Sequence, residues 1–235
     1  MDASREPQGL RTLGLIGGLG VGATILYYEW LVEAMKQRGL SLRLVIAHAD
    51  FEQALSLVSA NRLDELAEYL ADLANRLAAA GADICVIPAI TPHICIDGIL
   101  RRSKRPFVSL LDVTAQAVAS RGLRRVALFG TRFSIERDLF GALKGVEIVR
   151  PRPAEIDTIH DIYLSVVRTG HSDDKQREAL RAIAATLLTR DGVEAIILAG
   201  TELAIVFDKD NPAGFPAIDC ASLHIQAIMR ALIAA

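Results

Sequence analysis

The chain has 235 residues, of which 51% are hydrophobic and 23% are charged, and its formal net charge is -2. This composition is typical of one large or two small globular domains with a full core. The near-neutral charge and the lack of a basic run argue against nucleic acid or an anionic membrane as a partner, and no apolar stretch approaches the roughly 20 residues that span a bilayer.

The N-terminus and the cysteines bear on where the chain works. The first residues, MDASREPQGL, lack the apolar core of a signal peptide. Cys85, Cys95 and Cys220 lack the CxxC spacing of a zinc or redox site. We therefore expect a cytoplasmic chain with reduced cysteines and no metal site.

Strand and helix patterns alternate along the chain. A leucine stripe at helical spacing predicts a helix over 64–80, ended by Gly81. A similar stripe predicts a helix over 173–190, with Ser172 as its cap. Such alternation with short loops favours parallel sheets covered on both faces. Apolar runs predict strands at 12–16, 42–48, 83–88, 107–110, 126–129, 146–149, 195–198 and 216–219.

The chain also contains an internal repeat. RTLGLIGG at 11–18 opens a strand, a glycine loop and a helix, and RRVALFGT at 124–131 does so again. Each half then continues with a leucine-striped helix, followed by a glycine and a strand that ends in a polar loop. Residues 17 and 89 are 72 positions apart, and residues 130 and 200 are 70 apart. The repeat predicts two related α/β units whose strand ends face each other across a cleft.

The loop GGLGVGAT at 17–24 is the most distinctive local motif. Its glycines allow a sharp turn and let an anion approach backbone N–H groups at a helix start. Gly18, Gly20 and Ala23 also fit the G-x-G-x-x-A dinucleotide pattern, for which Asp50 could bind a ribose. Anion or carboxylate binding is the favoured interpretation. Nucleotide binding and a ligand-free tight turn are the alternatives.

Polar side chains follow several predicted strands. Asp50 ends the second strand, where a carboxylate faces the cleft. His93 is either an acid–base group or a histidine satisfied by backbone groups. Glu202 is either an acid–base group or a charge favoured by a helix N-terminus. Thr131 can offer its hydroxyl and N–H to a carboxylate, and Arg132 is equally consistent with a surface charge.

These segments together resemble the aspartate/glutamate racemase family, and especially its broad-specificity amino-acid racemase branch. The resemblance covers nearly the whole chain. It is carried by GGLG with AT at 17–24, HADF at 48–51, TPH at 91–93, LFGTRFSIE at 128–136 and TEL at 201–203.

The resemblance implies a fold and a domain organisation. The fold class is α/β, with two pseudo-symmetric flavodoxin-like domains, parallel sheets and an active-site cleft between them. The first domain is expected to comprise 1–112 and 206–235, because the C-terminal strand and helix return to it. The second comprises 113–205. The usual partner is a second copy of the chain, so a homodimer is expected.

The resemblance also implies a mechanism from which this chain departs. In the family, two cysteines on opposite faces of the substrate α-carbon exchange its proton without a cofactor. Those two positions correspond to Ala89 and Gly200. The catalytic groups that remain are Asp50, His93 and Glu202. The implied substrate-binding residues are Gly18, Thr24, Asp50, Thr91, Thr131, Arg132 and Thr201.

The leading hypothesis is a cofactor-independent, isomerase-like protein that binds a small amino acid or dicarboxylate. The alternatives are a carboxylate-binding homologue without catalysis and a divergent lyase or decarboxylase on the same fold. A nucleotide-binding module is the weakest alternative, since the repeat supplies another reason for the glycine loop.

Overall fold

A computed structural model of the chain describes residues 9–233. The expectation about a signal peptide therefore rests largely on residues 1–8, which lie outside the described part. The fold is α/β with two fully parallel sheets, as predicted. The first sheet has the order β2-β1-β3, with β1 at Leu13–Gly17, β2 at Leu44–His48 and β3 at Ile84–Val86. The second has the order β5-β4-β6-β7, with β4 at Arg125–Gly130, β5 at Glu147–Ile148, β6 at Ala195–Ala199 and β7 at Ala217–Asp219.

Helices cover these sheets. A 3-10 turn spans Thr91–Cys95 and another spans Asp138–Gly141. The helices are α1 (Val21–Lys36), α2 (Phe51–Ser59), α3 (Leu63–Ala79), α4 (Ile96–Arg102), α5 (Leu110–Ser120), α6 (Arg132–Glu136), α7 (Pro153–Thr169), α8 (Asp174–Arg190), α9 (Leu203–Val206) and α10 (Cys220–Ile233).

The leucine stripe of α3 explains how the first sheet is buried. Leu66, Leu70, Leu73 and Leu77 are all buried on the sheet side of this helix, as the spacing predicts. Gly14 in β1 allows the close approach of α3, since a Cβ there would lie 3.1 Å from the Cβ of Leu77. β1 is wholly buried and fixes the loop that follows it.

Two predictions about strands are wrong. The segment 107–110 makes one bridge, from Phe107 to Cys85, and then becomes helical, because the Ser109 hydroxyl accepts the Asp112 N–H and caps α5. The C-terminal strand does not return to the first sheet, since Ile197 of β6 pairs with Ile218 of β7. Helix α10 does pack against α1, and it also packs against α5. The domain boundaries themselves stay a prediction.

A buried polar contact joins α1 to α10. The Tyr27 hydroxyl donates to Nδ1 of His224 at 3.0 Å, and Nε2 of His224 donates to the Val108 carbonyl at 2.8 Å. Both side chains are 0% exposed. Burial lowers the pKa of His224 to about 3, so the ring is neutral in the folded protein.

This neutral histidine makes the fold sensitive to acid. Its folded pKa of about 3 lies below the unfolded value of about 6.5. The stability it contributes is therefore complete above about pH 6.5 and is lost as the pH falls towards 3. The loss is about 1.4 kcal/mol per pH unit, or roughly 2 kcal/mol at pH 5. Between pH 8 and pH 5, urea unfolding should show the wild type losing roughly that much more stability than His224→Gln.

The exposed His171 supplies the matched control. His171→Gln also removes one histidine but disturbs no buried contact, so it should lose as much stability between pH 8 and pH 5 as the wild type does. Equal slopes for the wild type and His224→Gln would contradict a buried, neutral His224.

Candidate functional site

Loops from both sheets meet at the carboxyl ends of the strands. From the first half come Gly17–Gly20 after β1 and residues 88–90 after β3, and from the second comes the segment 200–202 after β6. The Thr201 hydroxyl, which is 1% exposed, donates to the Pro88 carbonyl at 3.1 Å across the two halves. This edge of an open parallel sheet is where α/β proteins bind ligands.

Glu202 is the central charged group of this junction. It is 2% exposed, and its Oε2 accepts a hydrogen bond from the Tyr163 hydroxyl at 2.6 Å. The Thr201 hydroxyl lies 3.1 Å from the same oxygen, and the Ala23 N–H at the start of α1 also bonds the carboxylate. Burial raises the pKa of Glu202, while these donors oppose the rise. The result is a desolvated carboxyl group held by donors from both halves.

The glycine loop is shaped by this carboxylate. A Cβ at Gly20 would collide with Glu202 Oε1. Gly18 has a φ of +88°, and a Cβ there would collide with the Ala49 carbonyl. The Thr24 hydroxyl accepts the Gly18 N–H at 3.1 Å and donates to the Gly20 carbonyl at 2.9 Å. The glycines thus form a sharp turn at the start of α1, and an internal carboxylate lies against it.

Tyr163 lies where sequence reasoning assigned no functional residue. Its ring covers Gly200, where a Cβ would collide with Tyr163 Cε2 and lie 2.9 Å from Cδ2. The pKa of Tyr163 is raised well above its usual value by burial and by the charge of Glu202, so the group is a phenol that donates. A signal was present, since Tyr163 shares one stripe of α7 with the buried Ile156, Ile159 and Val166. A tyrosine in such a stripe needs a buried partner for its hydroxyl.

His93 has both ring nitrogens engaged by backbone groups. Nδ1 donates to the Ala89 carbonyl at 2.8 Å, and Nε2 accepts the Leu110 N–H at 3.3 Å. The side chain is 1% exposed, and burial lowers its pKa to about 4. Of the two interpretations of this histidine, the contacts favour the backbone-satisfied one. They tie the turn at Thr91–Cys95 to the start of α5.

Asp50 lies at the end of the first sheet and is exposed. Its side chain caps α2 by accepting the Gln53 N–H at 3.0 Å, and its own N–H donates to the Tyr69 hydroxyl at 2.7 Å. Thr91 is half-buried at the start of its turn. In the structure, Asp50 therefore caps α2 at the rim of the loop cluster.

Thr131 and Arg132 follow β4 in the second half. The Thr131 hydroxyl accepts the Ser134 N–H at 3.0 Å and so caps α6. The Arg132 side chain is 39% exposed and forms ion pairs with Glu136 and Asp157. These contacts correspond to the surface-charge interpretation of Arg132.

The three cysteines are free and buried. Desolvation raises the pKa of Cys85 to about 11 and the pKa values of Cys95 and Cys220 to about 12. All three are therefore protonated thiols at neutral pH. Within residues 9–233, no group of three or more His, Cys, Asp or Glu side chains could hold a metal ion, and no helix is long and apolar enough to cross a membrane.

The fold is similar to several solved structures. A candidate Asp/Glu racemase from Yersinia pestis is 24% identical, with a TM-score of 0.81 over 95% of this chain and 100% of that chain. An aspartate racemase homologue from Pyrococcus horikoshii is 25% identical, with a TM-score of 0.78 over 95% and 99%. A liganded mutant of arylmalonate decarboxylase shares the fold at 13% identity, with a TM-score of 0.57 over 95% and 93%.

The sequence itself matches a family described as Asp/Glu/Hydantoin racemase, over residues 16–228. This span includes the second sheet, β2 and β3 of the first, and every loop of the cluster around Glu202. The chain belongs to the Asp/Glu/Hydantoin racemase family.

Proposed function

We propose that the chain binds a small amino or carboxylic acid between its halves and transfers a proton at the carbon next to the carboxylate. Glu202 is the acid–base group and Tyr163 is its hydrogen-bonding partner, and no cofactor is used. The observation that carries the proposal is the 2.6 Å hydrogen bond between these two side chains at the buried junction of the loops. A carboxyl group with a raised pKa in such a place is suited to general acid–base work.

The chemistry we propose is one-sided. Across from Glu202, residues 88–90 are Pro, Ala and Ile, and none of these side chains titrates. His93 is held on both nitrogens by backbone groups. Glu202 would take the α-proton as a carboxylate and return it, as a carboxylic acid, to the same face. One acid–base group is enough to exchange the α-proton with retention of configuration. It is also enough to protonate the carbanion that remains after carbon dioxide is lost. Inversion of the α-carbon needs a second group on the opposite face.

The geometry also supports a carboxylate-binding protein without turnover. The Glu202 carboxylate and the Tyr163 ring fill the space above Gly20 and Gly200. A ligand carboxylate would have to displace Glu202 from the glycine loop.

A cytoplasmic location stays part of the proposal and is supported by three free, buried thiols.

The first prediction from this proposal concerns the acid–base pair. A panel of amino and dicarboxylic acids in heavy water should reveal a substrate by deuterium at its α-carbon. Glu202→Gln should lower that exchange by at least ~100-fold, because general acid–base groups supply about 10²–10⁴. Tyr163→Phe should move the acidic limb of the rate profile to higher pH, because Glu202 must be ionised to accept the proton and the substitution removes a donor that lowers its pKa.

Glu178→Gln on the exposed side of α8 removes the same charge far from the loops and should leave exchange unchanged. A substrate that exchanges equally fast in the wild type and in Glu202→Gln would refute the assignment. Binding of a carboxylate by calorimetry, with no exchange for any compound, would favour the binding-protein alternative.

The second prediction concerns thiols. Treatment of the folded protein with iodoacetamide at pH 7 should leave activity intact, since every cysteine is buried and protonated. Mass spectrometry should show labelling only after unfolding. Loss of activity that substrate prevents would instead point to a reactive cysteine in the site.

The third prediction concerns Gly200. Gly200→Cys or Gly200→Ala should destabilise the protein by roughly 1–3 kcal/mol, because the new Cβ collides with the Tyr163 ring. When Tyr163 is replaced by alanine, the same substitution at Gly200 should destabilise the protein much less. The measurement is urea unfolding of the wild type, the two single variants and the double variant, which together form a double-mutant cycle. Additive effects would show that the ring and the glycine are not coupled. Ala89→Cys, on the opposite loop, is the control for adding a thiol.

A further inference from the structure

A carboxylate of the chain itself occupies the donors at the start of α1. The Ala23 N–H, in the first turn of this 16-residue helix, bonds the Glu202 carboxyl group. Gly20, just before the helix, leaves the room that Glu202 Oε1 takes up. From the second half, the Tyr163 hydroxyl donates to Glu202 Oε2 at 2.6 Å. Donors from α1 and α7 thus hold one carboxylate in a desolvated place.

Donors of this kind recognise a carboxylate whatever molecule carries it. N–H groups at a helix start and hydroxyl groups bond any anion that reaches them. Here the loop after β6 supplies the anion, and the Thr201 hydroxyl beside it donates to the Pro88 carbonyl of the first half. The loop therefore closes the junction with its own carboxylate in place.

We propose that Glu202 is an internal competitor for the carboxylate site, and that a ligand carboxylate displaces it only when Glu202 takes up a proton. This inference rests on the proposed function and deepens it, because it names what controls access to the same site. When the Glu202 carboxyl group leaves the donors, its backbone keeps it beside them, so the two carboxyl groups remain neighbours. Two carboxylates side by side in a desolvated place cannot both keep their charge.

The groups that face Glu202 are uncharged. Those that act on its pKa, besides burial, are the hydroxyls of Tyr163 and Thr201, the Ala23 N–H and its own N–H. Across from it, residues 88–90 are Pro, Ala and Ile. Hydroxyl and N–H groups can bond one carboxylate, but they do not neutralise a second one. The counter-charge for a second carboxylate is therefore a proton from solvent.

The charge that β7 adds near this junction is also negative. Burial raises the pKa of Tyr27 on α1, and the charges of Asp219 at the end of β7 and of Glu202 raise it further. Both carboxylates thus act on one buried phenol. A negative field of this kind favours uptake of a proton over entry of a second uncompensated anion.

The proton has a use in the bound state. It lies on a carboxyl oxygen of Glu202, beside the ligand, and can be donated to a carbanion after carbon dioxide has left. Abstraction of an α-proton instead requires Glu202 to ionise again in the complex. Ligand entry therefore prepares Glu202 directly for the protonation of a carbanion.

Calorimetry of the full chain in two buffers of different ionisation enthalpy tests the coupling, because the heat of proton uptake depends on the buffer. The probes are propionate, L-alanine and L-aspartate, whose own charges stay constant between pH 6 and pH 8. In this range the wild type should take up about one proton for each probe molecule bound. Where it does so, Kd should rise about tenfold for each unit of pH.

Glu202→Gln removes the competing charge and keeps the shape of the side chain. At pH 8 it should bind the same probes at least ~10-fold more tightly than the wild type, with no proton uptake and no dependence of Kd on pH. Glu178→Gln, on the exposed side of α8, should bind as the wild type does. If Glu202 only joins the two halves, Glu202→Gln will be less stable and will bind no more tightly.

The outcomes separate this inference from the proposed chemistry. Binding to the wild type without proton uptake would overturn the competitor role, even if α-carbon exchange is observed. Proton uptake with no exchange for any compound would uphold the competitor role and overturn the chemistry. A wild type that binds no probe, while Glu202→Gln binds one, would also uphold it, and no binding by either protein would overturn both. If Glu202→Gln does not fold, proton uptake by the wild type decides alone, and a wild type that then binds no probe overturns the inference.

Discussion

The arrangement of the loops depends on one buried carboxylate, that of Glu202. A carboxyl group taken out of water must find donors or lose its charge, and burial here raises its pKa. Its donors come from two helices, the Tyr163 hydroxyl of α7 and the Ala23 N–H of α1, and the adjacent Thr201 hydroxyl lies 3.1 Å from the carboxylate. Because α1 belongs to the first sheet and α7 to the second, satisfying this one group draws the two halves together.

Two histidines serve the same junction through backbone contacts. His93 holds the loop after β3 against the start of α5, and His224 holds α10 against α1 and against the Val108 carbonyl just before α5. Burial keeps both rings neutral at pH 7, with pKa values of about 4 and about 3. In that state each ring has one donor and one acceptor, and each nitrogen has a matching partner. These contacts keep the loops around Glu202 in place without adding charge.

The sequence predicts the parts of this fold that depend on local patterns. The β1 and β6 strands, the leucine stripe of α3 and the glycine loop follow from hydrophobic spacing and from residues that allow sharp turns. Glu202 is predictable as a polar residue at a strand end. Patterns of this kind do not determine which sheet a short C-terminal strand joins, and β7 joined the second.

The roles of individual side chains are harder to predict than the fold, because they depend on contacts with residues distant in the sequence. The partner of Glu202 lies 39 positions away on another helix, and the partner of His224 lies 197 positions away. His93 shows the same limit, since one of the two backbone groups that engage it belongs to Leu110. The local motif around His93 is compatible with either role, and only the distant N–H distinguishes them.

Gly200 and Tyr163 are in close contact at the junction of the two halves. A side chain at position 200 and the ring of Tyr163 exclude each other, because both need the same space. With Gly200 and a small residue at 163, the loop would leave a cavity and Glu202 would lose a donor. The present pair fills the space and places a hydroxyl 2.6 Å from the carboxylate. The side chains of the junction are also fully hydrogen-bonded, since every buried side-chain polar atom among residues 9–233 has a partner. The space beside Gly200 is thus occupied by a ring whose hydroxyl also satisfies the buried carboxylate, so the single side chain of Tyr163 provides both contacts.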